Sequence, residues 1–190
     1  MSTAASTPVK RGESSIVAHV AELDTAIGDM VAAATETHLL LLEFAHRRTL
    51  DRQLEHAARA TGARFEPGDS PILDQFRTEL AEYFAGQRRA FDVPLLTPGT
   101  GFQMRVWTEL LRIPYGATTT YGRLATRIGN PSAVRAVARA NGDNRIAIVV
   151  PCHRVIGADG SLTGYGGGLW RKKKLLDLEA RTDALRLPGL

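Results

Sequence analysis

Residues 121–142 read YGRLATRIGNPSAVRAVARANG, and this stretch decides the fold of the second half of the chain. Its first part has apolar residues at the i, i+3, i+4 and i+7 spacing of an amphipathic helix, namely Tyr121, Leu124, Ala125 and Ile128. Gly129-Asn130-Pro131 then supplies a C′ glycine, an N-cap and an N1 proline before a second helix that ends at Asn141-Gly142. Two short helices across a tight turn predict a helix-turn-helix, with Thr118–Thr120 as cap candidates.

The second helix carries a polar stripe. Ser132, Arg135 and Arg139 lie at i, i+3 and i+7, on one side of the helix, and most of its other residues are alanine. So slim a helix can approach a nucleic-acid groove closely, which predicts DNA binding. The alternative is a surface pair of arginines on a packed bundle helix.

The charge of the chain is divided unevenly. The net charge is +4, but residues 1–100 carry −4 and residues 101–190 carry +8. A basic C-terminal half predicts a polyanionic partner, with nucleic acid the leading candidate. A solvated basic face without a partner is the alternative.

Composition excludes several classes of protein. With 190 residues, 44% hydrophobic and 23% charged, the chain is long and apolar enough to bury a core, so wholesale disorder is excluded. Apolar runs such as Leu39–Leu42 are too short to span a bilayer, and no signal peptide is visible. The single cysteine, Cys152, excludes an internal disulfide framework and a zinc site built on several thiolates. We therefore expect a cytoplasmic protein with no membrane association.

The Pro/Gly-rich connector Thr97–Gly101 marks the predicted domain boundary, where the sign of the charge also changes. We expect a fold of an α/β N-terminal domain, a small antiparallel sheet with helices, followed by a mainly α C-terminal domain with the helix-turn-helix. The predicted limits are a tail at 1–14, the two domains at 15–96 and 97–182, and a tail at 183–190.

Turn formers divide residues 16–45 into two or three predicted strands. A helix is predicted within Arg47–Thr61, stopping at Gly62, and a second one after the N-cap and N1 pair Ser70-Pro71. Phe91–Leu96 is a further candidate strand.

The lone cysteine follows an uninterrupted apolar run. Ile146–Val150 predicts a buried strand that ends at Pro151, and Cys152-His153-Arg154 comes next. A thiolate is a strong nucleophile, and neighbouring basic groups favour it. The alternative is a small buried hydrophobe, which is the usual state of a free cysteine.

Glu179 lies beside or on the apolar stripe of a helix predicted over residues 169–182. A buried carboxylate needs a partner. His153 would give a Glu–His–Cys relay, in which the imidazole reaches the thiol of Cys152 through a water. The alternative is a salt bridge from Glu179 to Arg154.

The segment between these residues contains the glycine-rich loop Gly164–Gly168. It lacks the Lys-Ser/Thr ending of a P-loop, so we interpret it as backbone that comes close to a ligand. In the helix that follows, Trp170 is expected in the core and Arg171–Lys174 on a solvated basic face.

Pro151-Cys152-His153-Arg154-Val155 resembles the active-site signature of the O6-alkylguanine-DNA alkyltransferases, the methylated-DNA–protein-cysteine methyltransferases. The resemblance covers about residues 99–180 and is highly specific. Further motifs carry it: Gly101-Phe102-Gln103, Ile113-Pro114-Tyr115-Gly116, Tyr121–Ala125, Gly129–Pro131, Arg135–Val137, Asn141–Asn144, Gly164-Tyr165 and Leu175–Glu179.

The resemblance implies a suicide repair reaction on double-stranded DNA containing O6-alkylguanine. The helix-turn-helix would enter the minor groove, through Ser132, Ala133, Arg135, Arg139 and Tyr121, and the damaged guanine would be flipped into a pocket. Arg135 would fill the vacated stack, and Cys152 would keep the alkyl group.

In the site itself, His153 and Glu179 would activate the thiol, Tyr121 would donate a proton to the departing guanine, and Asn144 would buttress the site. The pocket would be formed by Pro151, Val155, Tyr165 and Gly166. No cofactor would be needed, and we expect a monomer.

Three departures from the family pattern stand out. Ala138 and Arg145 replace an expected glycine and proline, and Gly166 replaces a serine of some relatives. Some members hold zinc with N-terminal cysteines and histidines, and the single cysteine here predicts no such metal site.

Two other functions are alternatives. A DNA-binding regulator with a sensor cysteine is disfavoured, because bifunctional members carry a second reactive cysteine. A cysteine hydrolase would need a catalytic histidine from elsewhere in the fold, and the other four histidines all precede the boundary.

Overall fold

The computed structural model describes residues 16–184. The predicted tail at 1–14 lies outside the described residues. Of the tail predicted at 183–190, only residues 183 and 184 are described, as the end of the last helix.

The N-terminal half is a small sheet with two helices. In chain order its elements are β1 (Val17–Leu23), β2 (Met30–Ala34), β3 (Leu39–Phe44), α1 (Leu50–Thr61), β4 (Arg64–Pro67) and α2 (Pro71–Phe84). The strands lie in the order β3-β2-β1-β4. Every residue of β2 and β3 is buried, so the middle and one edge of the sheet form the base of the core.

The prediction of an antiparallel sheet is correct for three strands and wrong for the fourth. β1 pairs with β2 and β2 with β3 in antiparallel fashion, whereas β4 runs parallel to β1. The sheet is therefore mixed. The physical reason is α1, a crossover helix that returns the chain to the far edge of the sheet in the same direction as β1.

Residues at the helix ends determine where α1 stops and where α2 begins. The backbone N–H of Gly62 bonds to Ala58 and its φ is +71°, the left-handed conformation that ends a helix. The hydroxyl of Ser70 accepts from the N–H of Leu73 at 3.3 Å, which caps α2 as predicted.

The connector between the two halves contains no full strand. The prediction for Phe91–Leu96 is wrong, because only Leu95 forms an isolated bridge, to Leu39 of β3. Pro94 has no N–H to continue a ladder. Arg145 holds the end of this connector, since its guanidinium donates to the carbonyl of Pro98 and lies 5.6 Å from the Trp107 ring centre.

The C-terminal half is mainly helical. Its elements are α3 (Gly101–Leu111), β5 (Thr119–Thr120), α4 (Tyr121–Arg127), a 3-10 turn (Pro131–Ala133), α5 (Val134–Gly142), a second 3-10 turn (Cys152–Arg154), β6 (Val155–Ile156) and α6 (Leu169–Ala184). The hydroxyl of Thr120 caps α4 by accepting from Arg123 N–H at 3.2 Å. α4, the turn and α5 form the predicted helix-turn-helix.

The segment Ile146–Val150 is buried as predicted but is not a strand. Only Ile146 forms a bridge, to Leu42 of β3, and Ile148 has a φ of +69°. The backbone is held by long-range bonds, with Leu42 donating to the carbonyl of Arg145 and Ala147 donating to that of Leu42, each at 2.8 Å. The apolar run predicted its burial, and contacts with β3 decided its shape.

The start of α6 also differs from expectation. Trp170 is 50% exposed, whereas Lys172 is fully buried and Arg171 nearly so, so only the second half of the segment 171–174 is a solvated face. The ammonium group of Lys172 donates to the carbonyls of Val155 at 2.5 Å and Thr163 at 2.6 Å. These two acceptors make its burial possible.

One apolar core joins the two halves, with members from β2, β3, α2, α3, α4, α5 and α6. The two-residue parallel ladder of β5 and β6 pairs Thr119 with Val155 and Thr120 with Ile156. It therefore fixes the segment after Cys152 beside the start of α4. Of the helices between residues 16 and 184, none has the length and apolar composition needed to cross a bilayer.

Candidate active site

The loop between α5 and the 3-10 turn positions the thiol of Cys152. Asn144 organises this loop, because its amide nitrogen donates to the carbonyl of Val150 at 2.8 Å while its oxygen accepts from the N–H of Ile146 at 3.0 Å. The same amide nitrogen lies 3.2 Å from Cys152 Sγ and donates to it. The predicted buttress thus contacts both the backbone and the sulfur.

The Cys152 side chain is nearly inaccessible, with 7% of the residue exposed. Burial raises the pKa of the thiol, and the hydrogen bond from Asn144 lowers it by a smaller amount. The thiol is therefore protonated at neutral pH, and a base must take its proton as it reacts.

His153 is fully buried beside Glu179. Its Nε2 lies 2.9 Å from Glu179 Oε1. Burial lowers the pKa of this imidazole, which is the largest effect on it, although Glu179 acts in the opposite sense. Because an ionised carboxylate can only accept, the neutral ring carries its proton on Nε2.

This tautomer leaves Nδ1 of His153 as an acceptor. That nitrogen is buried and has no hydrogen-bond partner among residues 16–184. An imidazole with one ring nitrogen free to accept and the other bonded to a carboxylate has the arrangement of a general base.

The carboxylate of Glu179 is fully buried and has several donors. Arg154 donates from Nε and Nη2 at 2.9 Å each, the hydroxyl of Tyr83 at 2.8 Å and the N–H of Gly116 at 3.1 Å. Burial raises the pKa of Glu179, but its bonds and attraction to His153 and Arg154 outweigh that effect and lower it to about 2. The Glu179–His153 contact of the predicted relay and the alternative salt bridge to Arg154 are both present.

Tyr121 begins α4, and its hydroxyl donates to the carbonyl of Thr163 at 3.3 Å. Gly164 follows with a φ of +54°, and a Cβ there would lie 3.2 Å from the tyrosine oxygen. Burial raises the pKa of the Tyr121 phenol, so it keeps its proton. It can therefore act as a proton donor.

The predicted pocket residues do not all line one cavity. Tyr165 and Gly166 line a recess beside Cys152, of only about 10 Å³, together with residues of β3 and the end of α5. The Val155 side chain is fully buried outside this recess. Pro151 starts the 3-10 turn and faces a separate cavity of about 240 Å³ with Tyr115 and Arg154.

The predicted DNA-binding side chains lie together on the outside of the helix-turn-helix. Ser132, Arg135 and Arg139 are exposed, and Ala133 is half-buried. The opposite side of α5 is buried through Val137, Ala140 and Asn141. Within the described part of the chain neither arginine forms a salt bridge, so both charges face solvent.

Among residues 16–184, no three His, Cys, Asp or Glu side chains are grouped as metal ligands.

Comparison with known protein families assigns both halves of the chain. The family model described as "6-O-methylguanine DNA methyltransferase, ribonuclease-like domain" matches residues 19–97, and the model "6-O-methylguanine DNA methyltransferase, DNA binding domain" matches residues 101–181. The chain belongs to the O6-methylguanine-DNA methyltransferase family. This membership decides against a cysteine hydrolase.

Relatives within the O6-methylguanine-DNA methyltransferase family are similar over most of the chain. The methylated-DNA–protein-cysteine methyltransferase of Mycobacterium bovis is 48% identical over 164 residues, which is 85% of this chain and 92% of the relative. The crystal structure of the Mycobacterium tuberculosis O6-methylguanine methyltransferase has a TM-score of 0.75 at 43% identity and covers 92% of this chain and 97% of that one. A structure of the M. tuberculosis protein in complex with DNA has a TM-score of 0.74 at 44% identity, covering 86% and 94%.

Sequence reasoning missed several residues of this methyltransferase site. Glu43 and Arg47 of the N-terminal half line the recess beside Cys152. Glu43 had a usable signal, since a carboxylate within the apolar run Leu39–Phe44 requires a buried partner. Tyr83, which donates to Glu179, had none, because only the docking of distant elements brings it there. Gly116 stands in a motif of the resemblance, but nothing in that motif predicted its bond to Glu179.

Proposed function

We propose that this chain repairs O6-alkylguanine in double-stranded DNA by direct reversal, moving the alkyl group onto its own Cys152. The observation that carries the proposal is the hydrogen-bonded series of Glu179, His153 and Arg154 behind a buried thiol that Asn144 holds in place. Membership of a family whose relatives bear the name methylated-DNA–protein-cysteine methyltransferase supports it. We assign the resulting activity to EC 2.1.1.63.

DNA binding comes first. α5 presents Arg135 and Arg139 beside Ser132 and Ala133, and its small residues allow a close approach to the minor groove. Arg135 fills the stack that the damaged guanine leaves. Flipping the base out costs about a few kcal/mol, less for a weakly paired lesion, which favours damaged sites.

The transfer is an in-line displacement at the alkyl carbon. The S–C bond to Cys152 forms as the C–O6 bond of the guanine breaks. The thiol proton passes through a water to Nδ1 of His153, and Glu179 holds the imidazole in the tautomer that can accept it. Tyr121 donates a proton to the guanine, so the leaving group is neutral. The protons balance when the imidazolium releases the thiol proton and the tyrosinate takes one up from solvent.

The reaction takes place once per molecule. Removing the alkyl group again would expel a buried thiolate, which is a poor leaving group because burial raises the pKa of this thiol, and the sequence holds no second cysteine to accept the group. The alkyl group therefore stays on Cys152, and no cofactor takes part.

The cellular location follows from the same chemistry. Because the Cys152 thiol must be reduced to react, we assign the protein to the cytoplasm, where thiols are kept reduced. We further propose that the protein is a monomer. We also propose domains at 15–96 and 97–182, since residues 85–100 form no helix or full strand between α2 and α3.

Intact-protein mass spectrometry after incubation with a duplex carrying O6-methylguanine tests the function. We expect a stoichiometric gain of one methyl group on Cys152, absent with undamaged duplex. Cys152→Ala abolishes the gain and leaves DNA binding largely intact, because α5 is unchanged. Tight binding of the lesion by the wild-type protein without any change of mass would overturn the proposal.

A further inference from the structure

An ion pair from the N-terminal half forms one wall of the recess at the thiol. Glu43, near the end of β3, is only 1% exposed, and its carboxylate accepts from the N–H of Phe44 at 2.9 Å, from Gln53 Nε2 at 3.0 Å and from the guanidinium of Arg47. The Arg47 guanidinium then reaches across to the other half, where Nη2 donates to the carbonyl of Gly142 at 3.1 Å. Arg47 is therefore held at both ends.

The arginine lies flat against the glycine-rich loop. A Cβ placed on Gly166 would fall 2.4 Å from Cζ of Arg47, and one on Gly167 would fall 2.2 Å from the Phe44 ring. No other residue type fits at these two glycines unless Arg47 or Phe44 moves. Close packing of this kind leaves the recess beside Cys152 with about 10 Å³.

That volume holds about one water molecule, whereas pockets for drug-sized ligands have about 300–1,000 Å³. A flipped alkylguanine therefore enters only if part of the wall moves. Moving Arg47 separates its charge from a carboxylate that is almost fully buried, and an unpaired buried charge is costly. The ion pair resists widening on this side.

This side of the site faces the group that is transferred. Arg47 and Glu43 line the same recess as the thiol, whereas Tyr121, which the proposed function makes the proton donor to the guanine, lies outside it. In an in-line attack the alkyl carbon lies between sulfur and O6, so its substituents project sideways into the recess walls.

We propose that Arg47, held by Glu43 and the carbonyl of Gly142, limits the size of the alkyl group that Cys152 accepts. The inference rests on the proposed function. The substrate class is O6-alkylguanine with a small substituent, and a bulky apolar group such as benzyl is disfavoured because its ring would displace the guanidinium. Arg47 acts as a specificity-determining residue, with no part in proton transfer.

Single-turnover transfer rates on two duplexes test this, one carrying O6-methylguanine and one carrying O6-benzylguanine. In Arg47→Ala the ratio of the benzyl rate to the methyl rate rises by about tenfold or more over the wild-type ratio, the scale of discrimination that one pocket group provides. Arg48→Ala is the matched control, since it removes the same charge from the next, exposed residue. Its ratio stays within about twofold of the wild-type value.

A double variant keeps the test valid if Arg47→Ala alone folds poorly because Glu43 is left unpaired. Glu43→Gln combined with Arg47→Ala removes both charges and is expected to show the same rise in the ratio. An unchanged ratio in folded Arg47→Ala or in the double variant overturns the inference. If the wild-type protein gains no methyl group at all, the proposed function fails instead, so the two failures are distinguishable.

Discussion

Glu179 decides the charge state of the residues around the thiol. Its negative charge is matched by Arg154, which donates two hydrogen bonds at 2.9 Å, and burial keeps His153 neutral. A charge-assisted bidentate pair of this kind is among the stronger polar contacts in proteins. Because Arg154 balances the carboxylate, the imidazole is free to remain a base until the thiol reacts.

Glu179→Gln tests this balance through stability. The pKa of Glu179 falls from its ordinary 4.5 to about 2, so the ionised carboxylate stabilises the folded protein by about 3 kcal/mol above pH 4.5. A depressed carboxyl pKa contributes stability that is lost as the pH falls from 4.5 towards 2. Urea unfolding should show a loss of about 3 kcal/mol at pH 7 in the variant, shrinking over that acid range.

Asp177→Asn is the control on the same helix, since Asp177 is exposed and, among residues 16–184, pairs only with Lys173. We expect it to change the free energy of unfolding by less than about 0.5 kcal/mol. A pH-independent loss in Glu179→Gln would mean that packing, not charge, is what the carboxylate supplies.

Sequence alone predicted candidate residues on the C-terminal side of the site and missed the wall facing them. Cys152, His153 and Glu179 stand in motifs whose residue types predict the reaction. Glu43 and Arg47 stand in none. Their role follows from how β3 packs against the loop before Cys152, a contact between residues about one hundred positions apart in the chain.

At the scale of elements, α5 combines one buried side with one charged side. Val137, Ala140 and Asn141 anchor it, and Arg135 and Arg139 lie on the exposed surface. An anchored helix fixes the backbone positions of its arginines, so little backbone entropy is lost when the duplex binds.

Arg135→Ala should slow transfer from duplex DNA by about tenfold to a hundredfold, because the variant no longer offsets part of the unstacking cost of a few kcal/mol. Rapid-quench measurement of methyl transfer gives the rate. A single-stranded oligonucleotide with the same lesion is the control, since its guanine needs no extrusion, and the two proteins should react with it at similar rates. Equal wild-type and variant rates on the duplex would contradict the wedge role.

Elements with local signals were predicted, and those shaped by distant contacts were not. Ser70 and Thr120 cap α2 and α4 through bonds to residues three positions on. Ile146–Val150 has the composition of a strand, yet β3 holds it in an irregular loop with Ile148 at a φ of +69°. In α6, burial of Lys172 depends on two carbonyls from another segment, which no helical periodicity shows.

At the scale of the whole molecule, the active site lies where the two halves meet. Tyr83 of α2 donates to Glu179 of α6 at 2.8 Å, and both belong to buried structure that includes residues from either side of the connector. Folding of one half therefore completes the hydrogen bonds of the other.

Tyr83→Phe should lower the free energy of unfolding by about 1.5–3 kcal/mol, the range for a buried hydrogen bond to a charged group, and the protein should still unfold in one transition. Circular dichroism, which reports both halves, and fluorescence of Trp107 and Trp170, which reports the second half, give the midpoints. Two separate transitions would show that the halves are energetically independent.

Tyr115→Phe is the matched control for this measurement. Its hydroxyl oxygen is buried and has no hydrogen-bond partner in the described part of the chain, so its removal should cost almost nothing. If Tyr115→Phe lowered the free energy of unfolding as much as Tyr83→Phe, removal of any buried tyrosine oxygen would explain the effect, and the bond with Glu179 would not.

The protonated, enclosed thiol also governs how long an unused molecule lasts. Peroxides oxidise thiolates far faster than thiols, and they must first reach the sulfur. Since each molecule reacts only once, every accidental oxidation of Cys152 would remove one molecule able to repair DNA. Burial of Cys152 and its raised pKa slow this oxidation and so lengthen the lifetime of the active protein. The number of lesions that a cell can repair then equals the number of unreacted molecules it contains.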